Sequence, residues 1–186
     1  MGILSAAIVL VFIAGAVLFY NRLVTLRNMV KEGWSGIDVQ LTRRAALIPN
    51  LVETVKGYMG HERKLLFEIA DLRSRSLRTE KVAEKGEIET ALSRSLGSLM
   101  AVAEGYPDLK ASQNFLELQK ELSAIEDQIQ MARRYYNGTV RNLNIAVESF
   151  PSNLVAKQFA FVQAEFFALD DADDRQAPQV SIESQK

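Results

Sequence analysis

The sequence predicts an all-α fold, an antiparallel helical bundle of long amphipathic helices with an N-terminal transmembrane helix. Residues 1–21 contain no charged side chain. Beyond them, apolar residues recur every three or four positions over long stretches, which is the period of an amphipathic helix. No stretch alternates apolar and polar residues between hairpin turns, so we expect no β-strands.

The first element is a membrane anchor over residues 1–21. A helix from Ile3 to Tyr20 is about 27 Å long at 1.5 Å per residue, which is enough to cross the hydrocarbon core of a bilayer. A cleaved signal peptide is the alternative, but no basic region precedes the apolar run. The side chains assigned to the anchor are Ile3, Leu10, Phe12, Leu18, Phe19 and Tyr20, with Tyr20 at the interface.

The charges beside the anchor predict its orientation. Arg22, Arg27 and Lys31 follow the apolar run at once. Lys and Arg concentrate on the cytoplasmic side of membrane helices. These three residues therefore predict that the N-terminus lies outside and that the C-terminal domain is cytoplasmic.

The second element continues the anchor as an amphipathic helix that runs past Pro49. Proline lacks the N–H that a helix interior needs. Either one long helix kinks at Pro49, or the chain reverses there and a second helix begins with Pro49 in its first turn. The kink is favoured, because the apolar stripe keeps its phase and no Gly lies beside Ile48. The stripe consists of Leu23, Leu26, Val30, Trp34, Ile37, Leu41, Ala45, Ile48, Val52, Val55 and Met59.

Two shorter segments follow. The apolar pattern continues to Leu72, and a polar connection follows over residues 79–86. The pattern begins again in a short helix over residues 88–102. Gly105 and Pro107 end that helix, since Gly is common just past a helix end and Pro cannot continue one.

The longest stripe lies near the C-terminus and needs a partner helix. Pro151 and Ser152 then begin a last short helix that extends to about Leu169. The bundle domain therefore spans residues 22–169, and residues 170–186 are predicted to be a disordered acidic tail. The members of the long stripe are Phe115, Leu118, Leu122, Ile125, Ile129, Ala132, Tyr136, Val140, Leu143, Val147 and Phe150.

No motif carries catalytic or metal-binding chemistry. The chain has one histidine, His61, and no cysteine, which excludes thiolate metal sites. His61 also lacks the Glu-x-x-His spacing of a bundle di-metal site. We expect no catalytic residue, no cofactor and no metal; an enzyme would need an unrecognised carboxylate site, such as Glu62 with Glu68 or Glu126. The net charge of −1 argues against nucleic acid as a partner.

Four asparagines form a repeated pattern. Residues 20–28 and 136–144 share Tyr, Asn, Val and Asn at identical spacing. Either the similarity is chance, or the amides pair across helices and fix the register, as a buried asparagine does in a coiled coil. The interhelical polar residues on the second interpretation are Asn21, Asn28, Asn137 and Asn144.

Several blocks in order resemble the LemA family of bacterial membrane proteins: residues 34–44, 47–58, 106–111 and 132–137. The resemblance implies one N-terminal transmembrane helix, a helical-bundle soluble domain and a cytoplasmic C-terminal side. It implies no known catalytic activity or cofactor, and one branch of the family is associated with magnetosome membranes. Three departures from the family pattern are Ala46 in place of Asp, Ile125 in place of Thr, and Ala160 in what is commonly Phe-Gly-Phe.

The predicted function is that of a non-enzymatic scaffold or docking module at the cytoplasmic face of a bacterial inner membrane. Its expected partners are the lipid bilayer and an unidentified protein, with self-association as a further option. An outward-facing sensor bundle is the main alternative, and it requires the opposite orientation.

Overall fold

The computed structural model describes residues 2–60 and 62–167, with the side chains of all of them except Leu4, Ala6 and Ile8. Within these residues the fold is all-α, as predicted, and contains no strand. His61 and the predicted acidic tail lie outside the described residues. The helices are α1 (Gly2–Lys56), α2 (Arg63–Arg78), α3 (Val82–Ala103), α4 (Pro107–Lys110), α5 (Gln113–Glu148) and α6 (Ser152–Gln158).

The antiparallel pair of α1 and α5 forms the long axis of the bundle. Every predicted stripe position on α1 from Leu23 to Val55 is buried or half-buried, and so is Met59 just beyond the helix. The same holds on α5 from Phe115 to Val147. The two stripes therefore cover each other along most of their lengths, which is the burial that a helix of this amphipathicity requires.

The two helices approach each other closely at Gly33. A Cβ added there would lie 3.1 Å from the Cα of Tyr136 and 3.4 Å from the Tyr135 ring. Glycine in a helix interior costs about 0.5–1 kcal/mol relative to alanine. At this position its missing side chain lets the α1 and α5 backbones come together.

Three apolar clusters follow one another along the bundle. At the end far from the anchor, which we call the distal end, α2, α3 and α4 pack against the last turns of α1 and the first turns of α5. In the middle, Ile37, Leu41 and Ile129 pack with Phe167. Near the anchor, Leu23 packs with residues of α5, α6 and the segment after α6.

The chain passes through Pro49 without reversing. α1 continues to Lys56 and ends there, and residues 57–60 that follow it are not helical. Because Pro49 has no N–H, the carbonyl of Ala45 loses the donor that an i+4 residue would supply. The side chain of Arg73 on α2 replaces it, with Nε donating to the Ala45 oxygen at 2.6 Å.

We expect Arg73→Met to lower the free energy of unfolding by about 1–3 kcal/mol, because it leaves a buried carbonyl without a donor. In a Pro49→Ala background the residue-49 N–H can bond Ala45, so the same substitution should cost less. A double-mutant cycle in urea measures this coupling. Arg75→Met is the control, since Arg75 is exposed and should be nearly neutral. Equal costs in both backgrounds would contradict the link between Pro49 and Arg73.

Two predicted boundaries are wrong. α3 begins at Val82, so the polar connection is shorter than residues 79–86, and the Lys85 ammonium binds Asp38 of α1 at 2.8 Å. The last helix ends at Gln158 rather than near Leu169. Residues 159–167, which we call the C-terminal segment, are not helical.

Ala160 marks the end of α6. Its φ is 53°, in the left-handed region, which costs an L-residue other than Gly about 1–2 kcal/mol. A Gly at this position would not carry this cost, because it has no Cβ.

Candidate functional site

The N-terminal part of α1 is fit to cross a membrane. Among the described residues it is the one helix long and apolar enough to do so, with a mean hydropathy of 2.0 in its candidate span and 6% of that window buried. The anchor side chains Ile3, Leu10, Phe12 and Leu18 are all largely exposed, whereas Phe19 and Tyr20 meet the bundle. Exposed apolar side chains of this kind suit a lipid environment.

The three cations expected to set the orientation lie at the membrane end of the bundle. Arg22 lines a cavity of about 440 Å³ together with Phe19 and Phe150. The Arg27 guanidinium lies 4.9 Å from the centre of the Phe161 ring. Lys31 is exposed. Arg22 and Arg27 therefore lie close to the point where α1 leaves its apolar span, and Lys31 follows one turn after Arg27.

A buried polar network, which sequence analysis missed, occupies the middle of the bundle. Arg44 is 1% exposed, and its Nη1 donates to Glu126 Oε2 at 2.6 Å and to Ser93 Oγ at 2.7 Å. Its Nη2 forms an ion pair with Glu89, which also accepts a hydrogen bond from Ser76. These residues come from α1, α5, α3 and α2, so the network links four helices.

The sequence contained a signal for this network. Arg44 follows Leu41 by three residues and precedes Ile48 by four, so it lies on the apolar stripe of α1. Glu89 likewise precedes Leu92 by three and Leu96 by seven. Charged residues on two apolar stripes are expected to pair, since burying an isolated charge is costly.

Asn137 and Asn144 hold the C-terminal segment against α5. The Asn137 amide donates to the Phe167 carbonyl at 3.1 Å and accepts from the Phe167 N–H at 3.0 Å. Asn144 makes the same pair of bonds with Ala164, at 3.0 and 2.9 Å. We call this arrangement the asparagine ladder, because each side chain pairs with a backbone N–H and C=O as a neighbouring strand would.

The ladder differs from the predicted pairing of asparagines across helices. Asn137 and Asn144 bind backbone, while Asn21 and Asn28 are exposed on α1. The prediction treated the C-terminal segment as a helix that satisfies its own backbone. Because the segment is not helical, its N–H and C=O groups need other partners.

Aromatic rings reinforce the same contact. Trp34 lies 5.6 Å from Tyr136 and 5.7 Å from Phe167 between ring centres. The Tyr136 hydroxyl donates to the Glu165 carbonyl at 2.8 Å. Burial raises the pKa of Tyr136, so the hydroxyl keeps its proton for this bond at neutral pH.

The three carboxylates considered for an enzyme have separate partners. Glu62 accepts a hydrogen bond from Tyr106 at 2.5 Å, which raises the pKa of that tyrosine. Glu68 accepts from Ser95 at 2.9 Å, and Glu126 belongs to the Arg44 network. Among the described residues no group of His, Asp or Glu is arranged to hold a metal ion.

An open apolar cavity, which we call the distal cleft, lies at the far end of the bundle. Its volume is about 500 Å³. The Phe67 side chain borders it and is 75% exposed. Lys56 and Arg63 supply basic groups at the same cavity. Its lining residues are Val52, Lys56, Met59, Gly60, Arg63, Leu66, Phe67 and Ala70.

Comparison with known proteins gives consistent matches. Residues 33–182 match the LemA family. The magnetosome proteins MamQ 1 and MamQ 2 of Paramagnetospirillum magneticum are each 26% identical to this chain over 198 residues, which is 92% of this chain and 73% of each relative. Protein LemA of Metamycoplasma hominis is 28% identical over 149 residues, covering 79% of this chain and 68% of its own length.

Proposed function

Because this chain belongs to the LemA family, we propose that it is a non-enzymatic scaffold anchored in a bacterial inner membrane, with its bundle on the cytoplasmic face. The apolar helix and the family match support membrane association. Relatives named as magnetosome proteins support a role in organising membranes.

The observation that carries the proposal is the continuity of α1. One helix runs from the apolar span to the distal end without a break. Tyr20 and Lys56 are 36 positions apart, which corresponds to about 54 Å of helix at 1.5 Å per residue. Paired with α5 over most of this length, α1 holds the distal cleft at a fixed distance from the apolar span, as a scaffold requires.

The distal cleft is the docking surface of this proposal. Its lining is mostly apolar and includes the two basic side chains of Lys56 and Arg63. An exposed aromatic side chain such as Phe67 is typical of the residues that contribute most to binding in a protein interface. The chemistry fits an amphipathic segment of a partner protein whose polar side is acidic.

The orientation can be tested with single cysteines, because the natural chain has none. We expect a membrane-impermeant maleimide to label Gly2→Cys in intact spheroplasts and to label Glu80→Cys only after the membrane is opened, as the positive-inside rule predicts. Both positions are exposed. The reverse labelling pattern would support the outward-facing sensor instead.

Docking can be tested with a photo-cross-linking phenylalanine analogue in living cells. At position 67 we expect a discrete product with a second protein, weakened by Arg63→Glu because the charge complementarity is lost. The same analogue at Leu116, an exposed apolar residue of α5, is the control. Equal products at both positions would contradict the cleft as docking surface, and a product of twice the chain mass would indicate self-association.

A further inference from the structure

Exposed apolar side chains surround the corner between α5 and α6. Phe150, Leu154, Phe159 and Val162, which we call the collar, are between 56% and 80% exposed. Soluble proteins rarely leave a contiguous apolar patch of more than a few hundred Å² uncovered without a binding role. The collar therefore needs an environment that accepts apolar groups.

Contacts with α1 show where the collar lies along the length of the bundle. Phe150 follows the end of α5 and lines a cavity together with Phe19 and Arg22 of α1. The Phe159 ring packs edge-on against Tyr20, with 4.8 Å between ring centres. Phe19 and Tyr20 end the apolar span, so the collar lies where α1 leaves the hydrocarbon core of the membrane.

The charge around the collar suits lipid headgroups. Residues 22–31 and 141–165 together carry five Lys or Arg and two Asp or Glu. A cation close to an anionic bilayer surface contributes about 1 kcal/mol of attraction. Aromatic side chains with basic neighbours are the composition typical of surfaces that lie in the membrane interface.

We propose that the collar is a second membrane-binding surface, which inserts Phe150, Leu154, Phe159 and Val162 between the headgroups of the leaflet from which α1 emerges and prefers anionic lipid. This inference rests on the anchoring of α1 proposed above. The bundle then stands on the bilayer at two points, the anchor and the collar. Two attachments hold the axis of the bundle at a fixed angle to the bilayer. Attachment by a single helix would leave that axis free to tilt.

The test uses the full chain reconstituted in phosphatidylcholine vesicles with and without phosphatidylglycerol. A single cysteine carries an environment-sensitive fluorophore at Leu154, at Leu10 in the anchor or at Leu116 at the distal start of α5. We expect shallow spin-labelled lipids to quench the label at 154, more strongly with phosphatidylglycerol, and deep spin labels to quench the label at 10. The label at 116 should keep its emission. Phe150→Asp, a change at an exposed position, should remove the quenching at 154 and leave that at 10 intact.

The outcomes separate the two proposals. A label at 154 that is quenched no more than the label at 116, while the label at 10 is quenched, overturns the collar and leaves the anchor in place. Absence of quenching at 10 overturns the anchor itself. If a second copy covers the collar, emission at 154 falls by self-quenching that disappears on dilution with lipid, and this result also overturns membrane insertion of the collar.

Discussion

Replacing Glu89 by alanine is expected to lower the free energy of unfolding by about 3–5 kcal/mol, because it leaves the buried Arg44 guanidinium without its most buried partner. Glu89 and Arg44 are each 1% exposed, so neither charge is in contact with bulk water. The Ser76 hydroxyl loses its acceptor as well. Urea unfolding in detergent micelles, followed by the fluorescence of the single tryptophan, Trp34, measures the change.

Glu53→Ala is the matched control for this substitution. Glu53 also pairs with a cation, the Lys56 ammonium at 2.7 Å, but both side chains are exposed, and such pairs contribute about 0–1 kcal/mol. Replacing both members of the buried pair, as Arg44→Met with Glu89→Leu, should recover most of the stability, since no fully buried charge is then left alone. Glu126 also loses Arg44, but its side chain is 36% exposed and keeps Gln130 as a donor. Equal effects of Glu89→Ala and Glu53→Ala would show that the network does not stabilise the bundle.

The second large effect is expected at Ile129, whose replacement by alanine should cost about 2–5 kcal/mol through lost burial and the cavity left behind. Ile129 is fully buried in the middle cluster with Ile37 and Leu41. The cavity would lie between α1 and α5, where the tightly packed backbones near Gly33 limit how far the helices can collapse. The same unfolding measurement applies.

Gln128→Ala serves as the control for Ile129, because Gln128 is an exposed neighbour on the same helix. Gln130 is less suitable, since it is half-buried and donates to Glu126 at 3.2 Å. If Ile129→Ala and Gln128→Ala were both neutral, the contact between α1 and α5 would contribute little to the stability of the folded domain.

Periodicity predicted the helical architecture well because burial dominates it. The stripes on α1 and α5 pack as expected, and the exception is Phe150, which lies beyond the end of α5 and is exposed. The predicted end of the last helix was wrong for a local reason. Residues 159–167 are rich in apolar side chains, but hydrophobic content does not distinguish a helix from a non-helical segment whose backbone is bound by side chains of another element.

The polar features were harder to predict because their partners lie far apart in the sequence. The positions of Arg44 and Glu89 on apolar stripes were visible, but their pairing depends on how α3 packs on α1. Asn137 and Asn144 were recognised as interhelical polar residues. Their partners, the backbone groups of Ala164 and Phe167, could not be identified while that segment was assigned to a helix.

The asparagine ladder can form because the distance between the two asparagines nearly equals the distance between the two backbone positions that they bind. Asn137 and Asn144 are two helical turns apart, about 10.5 Å. Ala164 and Phe167 are three residues apart, a step that reaches about 10 Å only when the backbone is extended. Seven residues of the α5 helix therefore span about the same distance as three residues of extended backbone. An insertion of one residue between Ala164 and Phe167 would move one of these two positions by about 3.4 Å relative to its asparagine. The spacing of the asparagines therefore constrains the number of residues between the two positions that they bind.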